Sequence, residues 1–100
     1  MSDEGYNGWK NYPTWAVHLW LDNDQGSQDW WLGESIDALE NAEHPRYEIA
    51  DALKNHVREE CESDDASMAS DLLGYALDCV DWYEIADAYL EMAREELVSA

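Results

Sequence analysis

Phenylalanine is absent from this 100-residue chain, cysteine and proline occur twice each, and Lys and Arg together number only five. The shortage of cations excludes most. Neutralising a phosphate backbone or an anionic bilayer takes clustered Lys and Arg, so direct binding to nucleic acid or to a membrane surface through a basic patch is ruled out. Cys61 and Cys79 are too few and too far apart for a disulfide framework or a zinc knuckle. Each falls on an apolar helical face, which predicts reduced core thiols. No apolar run approaches the roughly 18 residues of a membrane span. The start, Met1-Ser2-Asp3-Glu4-Gly5, carries acids where a secretory leader carries cations, so a cytoplasmic location is expected.

Against these absences stand 24 Asp and Glu, a formal charge of −19, an apolar content of 46% and twelve Trp and Tyr residues. That apolar and aromatic content separates the chain from a disordered acidic tail. Its length suits one small domain over residues 1–100, with 1–10 expected to be flexible or loosely packed. With no Phe, Trp and Tyr must supply the aromatic core volume, and Trp15, Trp20 and Trp82 are assigned to it. Trp30 and Trp31 are adjacent, so one narrow helix face cannot bury both rings equally, and one is expected to be exposed.

The patterning predicts an all-α bundle of four to five short helices. Asn11-Tyr12-Pro13-Thr14 supplies a cap and a first-turn proline for a helix ending near Asn23. Its apolar residues surround most of the axis, which predicts a central, largely buried position. A second helix runs from a Ser27 cap to about Ala42, burying Leu32, Ile36 and Leu39. The clearest period lies in Arg46 to Cys61, with Ile49, Ala50, Leu53, Val57 and Cys61 on one face. A fourth helix, from about Ala66 to Cys79, is expected to bury Met68, Leu72, Tyr75, Ala76 and Cys79. Asp81 and Glu84 form an acidic capping box for a fifth, which buries Trp82, Ile85, Ala86, Tyr89, Ala93 and Leu97.

Residues 46–61 and 82–97 share nine of sixteen positions, including Tyr-Glu-Ile-Ala-Asp-Ala and Arg-Glu-Glu. The 36-residue period predicts a repeated helical hairpin, helices two and three against four and five, packed around the Trp-rich first helix.

The run Tyr6-Asn7-Gly8-Trp9-Lys10-Asn11-Tyr12-Pro13-Thr14-Trp15, continued by Leu19-Trp20-Leu21-Asp22-Asn23, resembles the opening of a family of small phage, mobile-element and archaeal proteins. Residues 71–77 and 80–86 resemble that family's second block. The resemblance carries no catalytic residues. It implies a phage or mobile-element setting, in which small acidic proteins disable host defence.

No nucleophile elbow, phosphate loop or dinucleotide fingerprint occurs, so no catalytic residues and no cofactor are assigned. His56 with Glu60 and Glu40 with His44 are four apart, not the three of a di-iron motif, and they read as surface pairs, so no metal is assigned. His18, within the Trp-rich helix, reads as a hydrogen-bonded, partly buried histidine. The informative feature is the placement of charge. Residues 11–45 hold seven acids and 59–93 hold eleven, with no Lys or Arg in either stretch. Glu48, Asp51, Glu59 and Glu62 form one outward row, and Glu84, Asp87, Glu91 and Glu95 a second. The partner expected for such rows is a basic protein surface, including that of a nucleic-acid-binding defence complex, which the rows would engage by imitating phosphate. The alternative is a small structural or regulatory protein whose acidity reflects a high-salt solvent.

Overall fold

Asn11 starts the first helix: its side-chain oxygen accepts from the Thr14 amide at 3.0 Å, and Pro13 sits in the first turn, where a missing N–H costs nothing. The resulting α1 spans Tyr12–Asn23. In the computed structural model, which describes residues 5–61 and 67–99, it is followed by α2 (Gln25–Asn41), α3 (Pro45–Cys61), α4 (Met68–Asp78) and α5 (Trp82–Ser99). No strand occurs among the described residues, so the fold is all-α, with five helices. Asp24 both ends α1 and caps α2 by accepting from the Gly26 amide, a corner one residue long. The expected Ser27 cap is therefore displaced to Asp24.

The core is built on α5, which packs along α3 and α2, with α2 and α3 also touching and α1 laid against α2 and α5. Ile49, Ala50 and Leu53 of α3 and Ile85, Ala86 and Tyr89 of α5 are buried at equivalent positions of the repeat. The two repeated helices pack on each other. Their starts lie side by side, where Arg46 pairs with Asp87 at 2.8 Å and stacks over the Tyr83 ring at 4.7 Å. The anticipated pair of equivalent hairpins does not form, because α2 lies in the core and α4 does not.

Three helices are oriented differently from expectation. In α2 the buried residues are Trp31, Ser35 and Ala38, one position before the larger Leu32, Ile36 and Leu39, which are half-buried. Ser35 and Ala38 share this inward face with Trp31, where α2 packs along α5. Ser35 Oγ is buried without a hydrogen-bond partner among the described residues. The first helix is peripheral: Thr14 and Leu21 are buried, whereas Leu19 and Trp20 are exposed. In α4 only Leu77 is buried, and Met68, Leu72 and Tyr75 stand 63–78% exposed. This helix is apolar on two sides, and the inward one is Leu73, Ala76 and Leu77. Of the assigned core tryptophans, Trp15 and Trp82 are half-buried and Trp20 is 75% exposed; Trp31, at 2%, takes the central place. Leu97 is exposed, and Cys61 and Cys79 are half-buried free thiols.

The radius of gyration, 14.5 Å, exceeds the roughly 13 Å usual for this length.

Candidate functional site

Polar residues of the N-terminal run are used to fasten the chain. Tyr6 and Trp9 exchange two backbone hydrogen bonds across Asn7-Gly8, whose φ values of 50° and 89° require the left-handed conformations that Asn and Gly tolerate best. Residues 5–10 thus form a turn that sets Trp9 against the core, while 1–4 lie outside the described residues. Asn11 Nδ2 donates to the Cys79 carbonyl at 2.8 Å, and Thr14 Oγ1 accepts from the Asp81 amide at 2.9 Å. Both tie the start of α1 to the α4–α5 junction. Asp81 also caps α5 through the Glu84 amide, but the reciprocal half of the box is absent, because the Glu84 carboxylate accepts from the Lys10 amide.

Further along α1, Asp22 accepts from the Tyr89 hydroxyl at 2.9 Å and lies 3.2 Å from His18 Nε2. The His18 ring lies in tilted contact with Trp9 at 4.4 Å and with Tyr89 at 5.7 Å. Burial holds its pKa below the ordinary 6.5, against the opposing pull of Asp22. Burial likewise raises the Tyr89 hydroxyl well above the phenol range, with help from its bond to Asp22. Neutral His18 and protonated Tyr89 are the forms this network favours. Its groups are paired with one another and lie on the packed side of α1, so the network fastens helices.

The open side of α1 is different. Between α1 and α2 on one flank and α4 on the other, closed below by the end of α3, lies an apolar cleft of about 790 Å³. Trp20, Trp30 and Tyr12 stand on it at 75%, 55% and 56% exposure, with Leu73 and Leu77 of α4 opposite. Among the described lining residues Asp24 and Glu60 are the acidic ones, His56 is also present, and there is no Lys or Arg. None of the five cations is among the lining residues and α1, α2 and α4 contain none, but Arg58 of α3 bridges to Asp78 of α4 at 2.6 Å beside the cleft.

The two acidic rows fare unequally. Glu48, Asp51 and Glu59 are exposed on α3, where Asn55 donates to Asp51. Glu62 lies outside the described residues. On α5, Glu84 is half-buried against the Lys10 amide, Asp87 is paired with Arg46, Glu91 lies 3.8 Å from Arg94, and Glu95 is exposed. The rows also share their helices with four of the five cations, Arg46, Lys54, Arg58 and Arg94. Sequence patterning missed the cleft. The adjacent Trp30-Trp31 pair was the signal for it, since Trp31 fills the core and Trp30 is left at the rim, edge-on at 4.8 Å.

Among the described residues no cluster of three or more His, Cys, Asp or Glu could hold a metal ion, and no helix is long and apolar enough to cross a membrane. The chain belongs to a family of unknown function (DUF7249), which matches residues 2–97. No curated protein and no solved structure matches it.

Proposed function

We propose that this member of the DUF7249 family is a non-catalytic binding protein that presents acidic surface to a cationic partner. In the setting implied by the sequence resemblance, the partner is a nucleic-acid-binding host defence complex, a CRISPR effector or a restriction enzyme, whose Lys- and Arg-lined groove the protein occupies in place of phosphate. The observation that carries this reading is the state of the cations. Four of the five, Lys10, Arg46, Arg58 and Arg94, lie within 4.0 Å of the chain's own carboxylates, which leaves most of the 24 acids uncompensated. Such a surface repels itself and steers cationic partners at salt-sensitive rates.

Glu48, Asp51, Glu59 and Glu95 are the row residues to reverse, because Glu84, Asp87 and Glu91 meet Lys10, Arg46 and Arg94, whereas Asp51 meets only Asn55 of its own helix. A competition assay with fluorescent DNA loaded on a CRISPR effector or a restriction enzyme provides the test. The intact protein displaces the DNA in a salt-sensitive manner, and the variant with these four residues changed to Lys folds but does not. Equal displacement by both proteins, or none by either, rejects the reading. A protein that unfolds below roughly molar salt supports the high-salt alternative, in which acidity serves solvation at the expense of self-repulsion.

A further inference from the structure

We infer that the apolar cleft between α1, α2 and α4 is a docking groove for a cationic amphipathic helix of a partner protein. The inference shares with the proposed function only the positive charge of the partner; the surface is a separate one. A monomeric domain this small seldom leaves two tryptophans on the rim of a cleft of about 790 Å³. Trp20 and Trp30 would bring large, rigid rings to a contact, the side chains that most often dominate binding energy. The opposite wall, Leu73, Ala76 and Leu77 of α4, offers aliphatic surface at helical spacing. An amphipathic helix laid between two such walls buries its apolar stripe and leaves its polar face to the rim.

Charge selects the occupant. Asp24 and Glu60 are the acidic residues of the described lining, α1, α2 and α4 lack Lys and Arg, and Arg58 of α3 is already paired with Asp78. A second copy of this chain would bring another −19 charges against the first, so self-association through the cleft is opposed. An acidic or neutral helix would fill the apolar space without offsetting the surrounding carboxylates. A helix with Lys or Arg flanking an apolar stripe matches both features.

The probe is a synthetic helix-forming peptide of about 18 residues, with Leu at i, i+3, i+4 and i+7 and Lys elsewhere. Two controls accompany it: the same peptide with Glu for Lys, and a Lys-rich peptide of equal charge without the Leu stripe. Binding is followed by calorimetry against the full chain. The Leu/Lys peptide binds at one to one, and affinity falls by about tenfold or more in the Trp20→Ala/Trp30→Ala variant. Because removing Trp30 also takes a ring from beside Trp31, Trp20→Lys serves as a second variant. It alters only an exposed side chain, adds a cation to the rim, and weakens binding likewise.

Absence of binding by the Leu/Lys peptide overturns the inference, as does equal binding by the Leu/Glu peptide or by the peptide without the stripe. So does unchanged affinity in both tryptophan variants. Affinity lost on changing Glu48, Glu59 and Glu95 to Lys, with the tryptophan variants unaffected, would transfer the peptide to the acidic rows. That outcome keeps the proposed function and removes the groove. A dimer in sedimentation that Trp20→Lys dissolves would make a second copy the occupant, and would also overturn the inference.

Discussion

The two sides of α1 differ in nearly every respect that chemistry can vary. The packed side carries Asn11, Thr14 and Asp22, each hydrogen-bonded to the α4–α5 junction or to α5, and His18, whose ring lies against Tyr89. The open side carries Tyr12, Ala16 and Trp20, apolar and without a covering helix. Polar residues are thus committed to holding the helix, while Leu21 and Val17 join the core and the larger Tyr12 and Trp20 are left exposed. The difference teaches that burial here follows from where neighbouring helices reach, and that directional hydrogen bonds fix that reach.

The largest effect should separate two tryptophans. Trp31→Ala removes a ring that is 2% exposed and should cost about 3–5 kcal/mol in denaturant unfolding, whereas Trp20→Ala should stay within about 0.5 kcal/mol of the parent. Comparable losses at both positions would mean that the cleft is closed in solution. Next in size, Asn11→Ala removes the α1 cap and the bond to the Cys79 carbonyl together, an expected loss of about 2 kcal/mol by thermal or chemical melting. Tyr89→Phe leaves Asp22 without its hydroxyl donor and should cost about 1.5 kcal/mol. A loss below the error of the melt would show that this seam is maintained by packing alone. Ser35→Ala should raise stability by up to about 1 kcal/mol, since it removes a buried hydroxyl that lacks a partner among the described residues.

The smallest effect concerns pH. The His18 pKa is depressed in the folded chain, so below the ordinary 6.5 the unfolded chain binds the extra proton more readily. Stability is therefore complete above that value and declines as pH falls from 6.5 towards the folded pKa. Titration of the many carboxylates runs beneath this, so the measurement is a difference in unfolding midpoint between the parent and His18→Gln. The two should share one pH dependence above about 7 and diverge as pH falls below 6.5. A constant difference would remove His18 as the titrating group.

How much was legible follows from how local each signal is. The α1 cap needs only Asn11, Pro13 and Thr14, and the α3 and α5 faces need only a stripe such as Ile49, Ala50 and Leu53; both are readable along the chain. The inward face of α2 is not, because Trp31, Ser35 and Ala38 face inward where α2 packs along α5, and nothing in their own segment announces that contact. In α4 both Met68-Leu72-Tyr75 and Leu73-Ala76-Leu77 satisfy helical spacing, so periodicity alone cannot choose between them. The cleft is the least legible feature, being the space left among four helices. The acidic rows illustrate the converse: the exposure of Glu48 and Glu59 follows from pattern, but the commitment of Asp87 to Arg46 depends on α3 meeting α5.

The six tryptophan indole N–H groups allow the most direct measurement, since each gives its own resonance in a heteronuclear NMR spectrum. During titration with the Leu/Lys peptide, the Trp20 and Trp30 signals should move together and saturate at one equivalent, while those of Trp9 and Trp82, away from the cleft, stay in place. Movement confined to Trp9 and Trp82, or no movement at saturating peptide, would contradict the assignment of the open side of α1 as the recognition surface.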